Sequence, residues 1–148
     1  MPKLLTYIAS FVVIAVMWVN HHKLMHAAGG ATRALLWANI YLLFWMSLIP
    51  VSTGFMGNNP YAPTAVAAYG FVLCVNSCAF MLLRWIVAAR TLPKNLFASV
   101  LYAVSVPVAF VSVYASIAMF VLILALFFLP ELVSRPREAR RRRQRASR

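Results

Sequence analysis

Between Leu4 and Leu129 the chain carries only five ionised side chains, Lys23, Arg33, Arg84, Arg90 and Lys94, and not one carboxylate. Nothing else in the sequence limits the fold as strongly. Soluble domains are about 25% charged and about 45–50% apolar. Here 64% of the 148 residues are hydrophobic and 11% are charged. A core this apolar needs the bilayer as its solvent, and the sequence predicts an all-α integral membrane protein. Its length is one domain's worth.

A membrane-spanning helix needs roughly 20 residues to cross a hydrocarbon core about 30 Å thick. The first apolar run predicts a span over 4–20, the second over 34–53 and the third over 62–89. A fourth apolar region, 96–129, would measure about 50 Å as one straight helix, too long for one comfortable crossing. It also contains Pro107, which has no amide hydrogen to give a helix. It is read as two short spans, 96–110 and 112–130. Residues 1–133 then form a bundle of about five transmembrane helices, and 134–148 form a basic, disordered tail.

Charge parity supports the split and sets the orientation. Lys23 and Arg33 lie in the first connection, and Arg90 and Lys94 in the third. The second connection, 54–61, and the proposed turn near Ser112 carry no charge. Eight of the fourteen basic residues follow Val133. Basic connections face the cytoplasm, so the first and third connections and the tail are expected there, in a multi-pass protein of the cell membrane. The same concentration of charge at helix flanks argues against nucleic acid as the partner of a +12 chain. The tail is expected to attract anionic lipid instead, at about 1 kcal/mol per basic residue near the surface. Five spans leave the N-terminus outside, with nothing before the first span to export it. On topology alone the bundle looks as though it lacks a first helix.

Chemistry-bearing residues are few. All three histidines sit in one corner, Trp18-Val19-Asn20-His21-His22-Lys23-Leu24-Met25-His26. His22 and His26 have the i, i+4 spacing of metal ligands on a helix. The set is too small for a di-iron desaturase cluster, and no intramembrane carboxylate is available to complete another site. Two readings remain open beside metal binding: polar groups at the membrane interface, or a structural network behind a functional helix. The second span begins Leu35-Leu36-Trp37-Ala38-Asn39, and Trp37, Tyr41 and Trp45 recur every fourth residue as a stripe. An amide in the bilayer seeks an interhelical partner, and Trp18, His21 and His22 are candidates for Asn39. Cys74 and Cys78 share a helix face and read as small packing residues. Arg84 reads as a side chain that snorkels to the interface. With no aspartate in the chain, no Ser–His–Asp set exists, and no enzyme or cofactor is expected. The missing intramembrane acid also counts against a proton-coupled transporter.

The corner Trp18-x-Asn20-His21-His22 resembles the second helix of the transmembrane protein 175 family of potassium channels. Leu35-Leu36-Trp37-x-Asn39 resembles the start of that family's third helix. Ser47-Leu48-Ile49-Pro50, then Thr53, Gly54 and Pro60, resemble the end of that helix and its outer loop, and Ala65 and Tyr69 fit the start of the fourth. The resemblance implies helices two to six of a six-helix unit that assembles as a homotetramer and, if the missing first helix is supplied, conducts potassium ions passively. It also implies that the filter lies on the family's first helix, which carries an Arg-x-x-x-Phe-Ser-Asp signature not present in this sequence. Trp18, Asn20, His21, His22, Trp37 and Asn39 are then a polar and aromatic network supporting that helix, not the filter. The alternative expectation is a non-conducting membrane scaffold or accessory subunit.

Overall fold

A computed structural model describes residues 2–88 and 93–125. Its elements in chain order are α1 (Pro2–His26), α2 (Arg33–Ser47), α3 (Ile49–Asn58), α4 (Pro63–Ala88) and α5 (Pro93–Val111). A further apolar helix, α6 (Val113–Ala125), follows. There is no strand among the described residues. Three stretches are long and apolar enough to cross a membrane: Thr6–His26, Arg33–Asn58 and Pro63–Val87. Leu96–Val111 and Val113–Ala125 are shorter apolar helices. The basic tail, 134–148, lies outside the described residues, as does Arg90.

The distribution of side chains is that of a protein dissolved in lipid. Ser10, Ser52, Thr53, Asn76, Ser99, Ser105 and Ser116 are buried. Leu36, Trp37, Ile40, Phe44, Phe71, Trp85 and Phe97 face outward. A water-soluble domain would place these two sets the other way round. The chain is an all-α membrane bundle.

Local sequence explains where each helix starts and stops. After Pro2, its first residue, α1 meets no proline or glycine before Gly29, so it runs through the polar corner as far as His26. Gly30, at φ +153°, adopts a backbone setting that side chains rarely tolerate and helps turn the chain toward α2. Thr32 caps α2, its hydroxyl accepting from the Leu35 amide at 3.2 Å. The second apolar run is broken at Leu48 because Pro50 cannot donate to the carbonyl four residues back. It resumes at once as α3, with Pro50 in the first turn, where a missing amide costs nothing. Pro107 lies inside α5, not at its end. The break before α6 falls at Ser112, whose hydroxyl accepts from the Ala115 amide at 3.3 Å.

Helix α4 is the centre of the bundle, packing on α2, α3 and α5 and more lightly on α1, while α1 packs chiefly on α3. Two apolar cores result. One gathers Ile49, Val66, Leu73, Tyr102, Phe120 and Ile123. The other gathers Leu24, Leu35, Leu42, Met46, Ala79 and Leu83. Close approach of α1 and α3 depends on Gly57: a Cβ there would lie 2.5 Å from Thr6 Oγ1.

Candidate functional site

A polar contact joins the first two helices. His21 Nε2 lies 2.6 Å from Asn39 Oδ1. A carbonyl oxygen only accepts, so the ring proton sits on Nε2 and Nδ1 is left as a buried acceptor without a partner. His21 is 6% exposed, and Trp18, one turn earlier, stacks on it with centroids 5.5 Å apart. Trp18, His21 and Asn39 therefore form a unit that sets α1 against α2.

The other sequence-derived candidates are placed elsewhere. Asn20 donates to its own helix, Nδ2 to the Val16 carbonyl at 2.9 Å. His22 faces solvent or headgroups and meets His26, Nε2 to Nε2 at 3.0 Å. Trp37 is 64% exposed on the outer face of α2. Of the aromatic stripe, Trp45 turns inward, meeting Tyr41 and Phe71 edge-on at 6.3 and 6.0 Å. Cys74 and Cys78 are free thiols, the first half-buried and the second exposed. Arg84 is half-buried, with its Nε enclosed and unpartnered.

Sequence reasoning missed a second polar contact, deeper in the bundle. Asn76 of α4 is 0% exposed. Its Nδ2 donates to the Trp45 carbonyl at 2.9 Å and to the Val72 carbonyl at 3.1 Å. These two carbonyls fix the amide's orientation and leave Oδ1 unpartnered. The Trp45 carbonyl belongs to the last turn before the helix breaks at Leu48, where it also accepts from the Leu48 amide at 3.2 Å. A polar side chain from a neighbouring helix is a standard remedy for a proline-broken membrane helix. The sequence signal was therefore present: a proline inside an apolar run, and an asparagine in the run that follows it. Asn20 and Asn76 line the same cavity of about 70 Å³, together with Met17, Leu42, Ser77 and Tyr102.

A seam of hydroxyls completes the polar interior. Ser77 and Ser99 join α4 to α5, Oγ to Oγ at 2.7 Å. Ser116 of α6 donates to the Ser105 carbonyl of α5 at 2.9 Å, two residues before Pro107. No group of three or more His, Cys, Asp or Glu converges among the described residues.

Removing the shared proton of the α1–α2 contact has a definite expected cost. Asn39→Leu leaves both nitrogens of a buried imidazole unsatisfied. Interhelical hydrogen bonds in membranes average about 0.6 kcal/mol, and a stranded buried polar group adds about 1–3 kcal/mol. A loss of about 1–2 kcal/mol is expected in reversible unfolding in mixed micelles. Unchanged stability would show that the contact contributes nothing to holding α1.

Residues 1–50 match the family model described as endosomal/lysosomal potassium channel TMEM175. That segment contains Trp18, His21 and Asn39. Over 143 residues the chain is 28% identical to a potassium channel of Chryseobacterium sp. (strain P1-3), covering 88% of this chain and 74% of that one. A potassium channel of Streptomyces collinus is 31% identical over 88 residues, covering 57% of this chain and 43% of its own. One of Chamaesiphon minutus is 27% identical over 146 residues, covering 86% and 71%. No solved structure matches significantly. The family so matched is a channel family, not a class of enzymes. With its histidine–asparagine contact inside the matched segment, this chain is similar over residues 1–50 to the TMEM175 family of potassium channels.

Proposed function

We propose that this chain is a subunit of a passive potassium channel, assembled as a homotetramer in the cell membrane with its basic C-terminus in the cytoplasm. The observation that carries the reading is the His21–Asn39 bond, with Trp18 stacked beside it, within the segment matched to the potassium-channel family. These residues cannot themselves select an ion. Their polar atoms are turned toward each other, and their role is to hold the bundle that supports the pore. The described helices hold no intramembrane carboxylate, which suits downhill conduction better than proton coupling. Anionic lipid headgroups are the expected partners of the arginine-rich tail.

The test is ion flux. The native gene product, reconstituted in vesicles under a potassium gradient, is expected to pass potassium faster than sodium and faster than protein-free vesicles do. Light scattering of the detergent-solubilised protein should give the mass of four copies. Flux equal to that of empty vesicles would refute conduction and leave a scaffold or accessory subunit.

A further inference from the structure

We propose that His22 and His26 form a two-imidazole binding site for a borderline divalent transition metal at the end of α1. This site is separate from the His21–Asn39 contact, and the proposal does not depend on conduction. Both side chains are exposed and lie on successive turns of one helix face. Their Nε2 atoms are 3.0 Å apart. The ring centroids are only 4.4 Å apart and the planes cross at 88°. That centroid distance is too short for rings meeting head-on through these nitrogens, so the two nitrogens sit side by side along adjoining edges.

With metal–nitrogen bonds of about 2.0–2.1 Å, donors so spaced subtend about 91–97° at a shared ion. This is the cis angle of an octahedral or square-planar ion, and it favours Ni²⁺ and Cu²⁺. Widening the pair by a few tenths of an ångström reaches the tetrahedral angle of Zn²⁺. Imidazole nitrogens are poor ligands for Mg²⁺ and Ca²⁺, which require oxygen. Water would fill the remaining positions, for which the exposed face leaves room.

Binding needs little rearrangement. In the metal-free pair one Nε2 carries a hydrogen directed at the other ring. In the bound pair both Nε2 atoms donate their lone pairs and both hydrogens sit on Nδ1, so neutral imidazoles release no proton. The ion would clip together the last turn of α1, which begins next to His21.

The full-length protein, without a polyhistidine tag and stripped of metal in detergent, is to be titrated with NiCl₂ by calorimetry. One equivalent per chain is expected, with a rise in Tm that saturates at the same ratio, and neither effect with MgCl₂. His22→Gln and His26→Gln should each weaken Ni²⁺ binding at least about tenfold while leaving the far-ultraviolet dichroism unchanged. The paramagnetic resonance spectrum of the wild-type Cu²⁺ complex should show coupling to two nitrogens, which does not depend on how either variant folds. Absence of saturable Ni²⁺ binding overturns the proposal. So does binding of undiminished strength in both variants, which would place the metal elsewhere, for example on Cys74 and Cys78.

Discussion

Asn76→Asp is expected to destabilise the bundle by about 3 kcal/mol or more, with Asn76→Ala costing about 2 kcal/mol and Asn76→Leu less than about 1 kcal/mol. The order follows from what each side chain does to one backbone carbonyl. In the native protein the amide Nδ2 gives its hydrogens to the Trp45 and Val72 carbonyls. Aspartate keeps the shape but replaces this donor with an oxygen, so acceptors face acceptors at a position that is 0% exposed. A carboxylate near the middle of a membrane helix costs about 2.5–3.5 kcal/mol even before that repulsion. Alanine loses the interhelical bond and opens a cavity between α2 and α4. Leucine also loses the bond, but it fills the space and removes an oxygen that has no partner in the native state. Removing both an unsatisfied group and its neighbour's bond partially cancels. Unfolding of the three variants in mixed micelles gives the comparison. If the leucine and aspartate variants were equally unstable, loss of the amide donor alone, and not an acceptor set against the carbonyls, would fix the cost at this position.

That contact also marks how far a sequence alone can be read. Membrane class and the existence of apolar helices follow from the absence of charge, a property of composition that survives any error in helix boundaries. The His21–Asn39 pair was reachable because both residues are polar groups in or beside apolar runs, and such groups seek each other. Which neighbours join them is set by helical phase. Residues 18 and 21 are one turn apart and share a face, whereas residue 22 is rotated by about 100° from residue 21. Trp37 and Asn39, two residues apart, point to nearly opposite sides of α2. The same geometry that brings Asn39 to α1 sends Trp37 outward to 64% exposure. Asn76 went unnoticed for a different reason. Its partner is a main-chain carbonyl on another helix, in the last turn before the break at Leu48. Periodicity within α4 cannot reveal that partner; asking what the last carbonyls of α2 accept from can.

Gly70→Leu is expected to cost about 3 kcal/mol, and Gly70→Ala about 1 kcal/mol. Gly70 lies where α4 meets α5 and α6. A Cβ placed on it would stand 3.0 Å from Ser105 Oγ and 3.1 Å from Phe120 Cζ. Neither neighbour has freedom to withdraw. Ser105 is fully buried and donates to the Tyr102 carbonyl at 2.7 Å. Its own carbonyl is held by Ser116 of α6. Phe120 is pinned between Tyr69, with ring centroids 5.2 Å away, and Tyr102, at 6.3 Å. A methyl group requires a shift of a few tenths of an ångström spread over this junction. A leucine cannot be placed without driving α4 away from α5 and α6 and breaking the bond from Ser116 to Ser105. Membrane helices gain little from hydrophobic association in lipid and depend on such close approach for their packing, so separation of the helices would not be offset by burial elsewhere. The control is Gly54→Leu, in α3, where a Cβ meets nothing within 4 Å. Intrinsic helix preference favours leucine over glycine at both positions alike. The difference between the two variants therefore isolates the junction. If Gly70→Leu unfolds within about 0.5 kcal/mol of Gly54→Leu, the meeting of α4, α5 and α6 at Gly70 is not what fixes this half of the bundle.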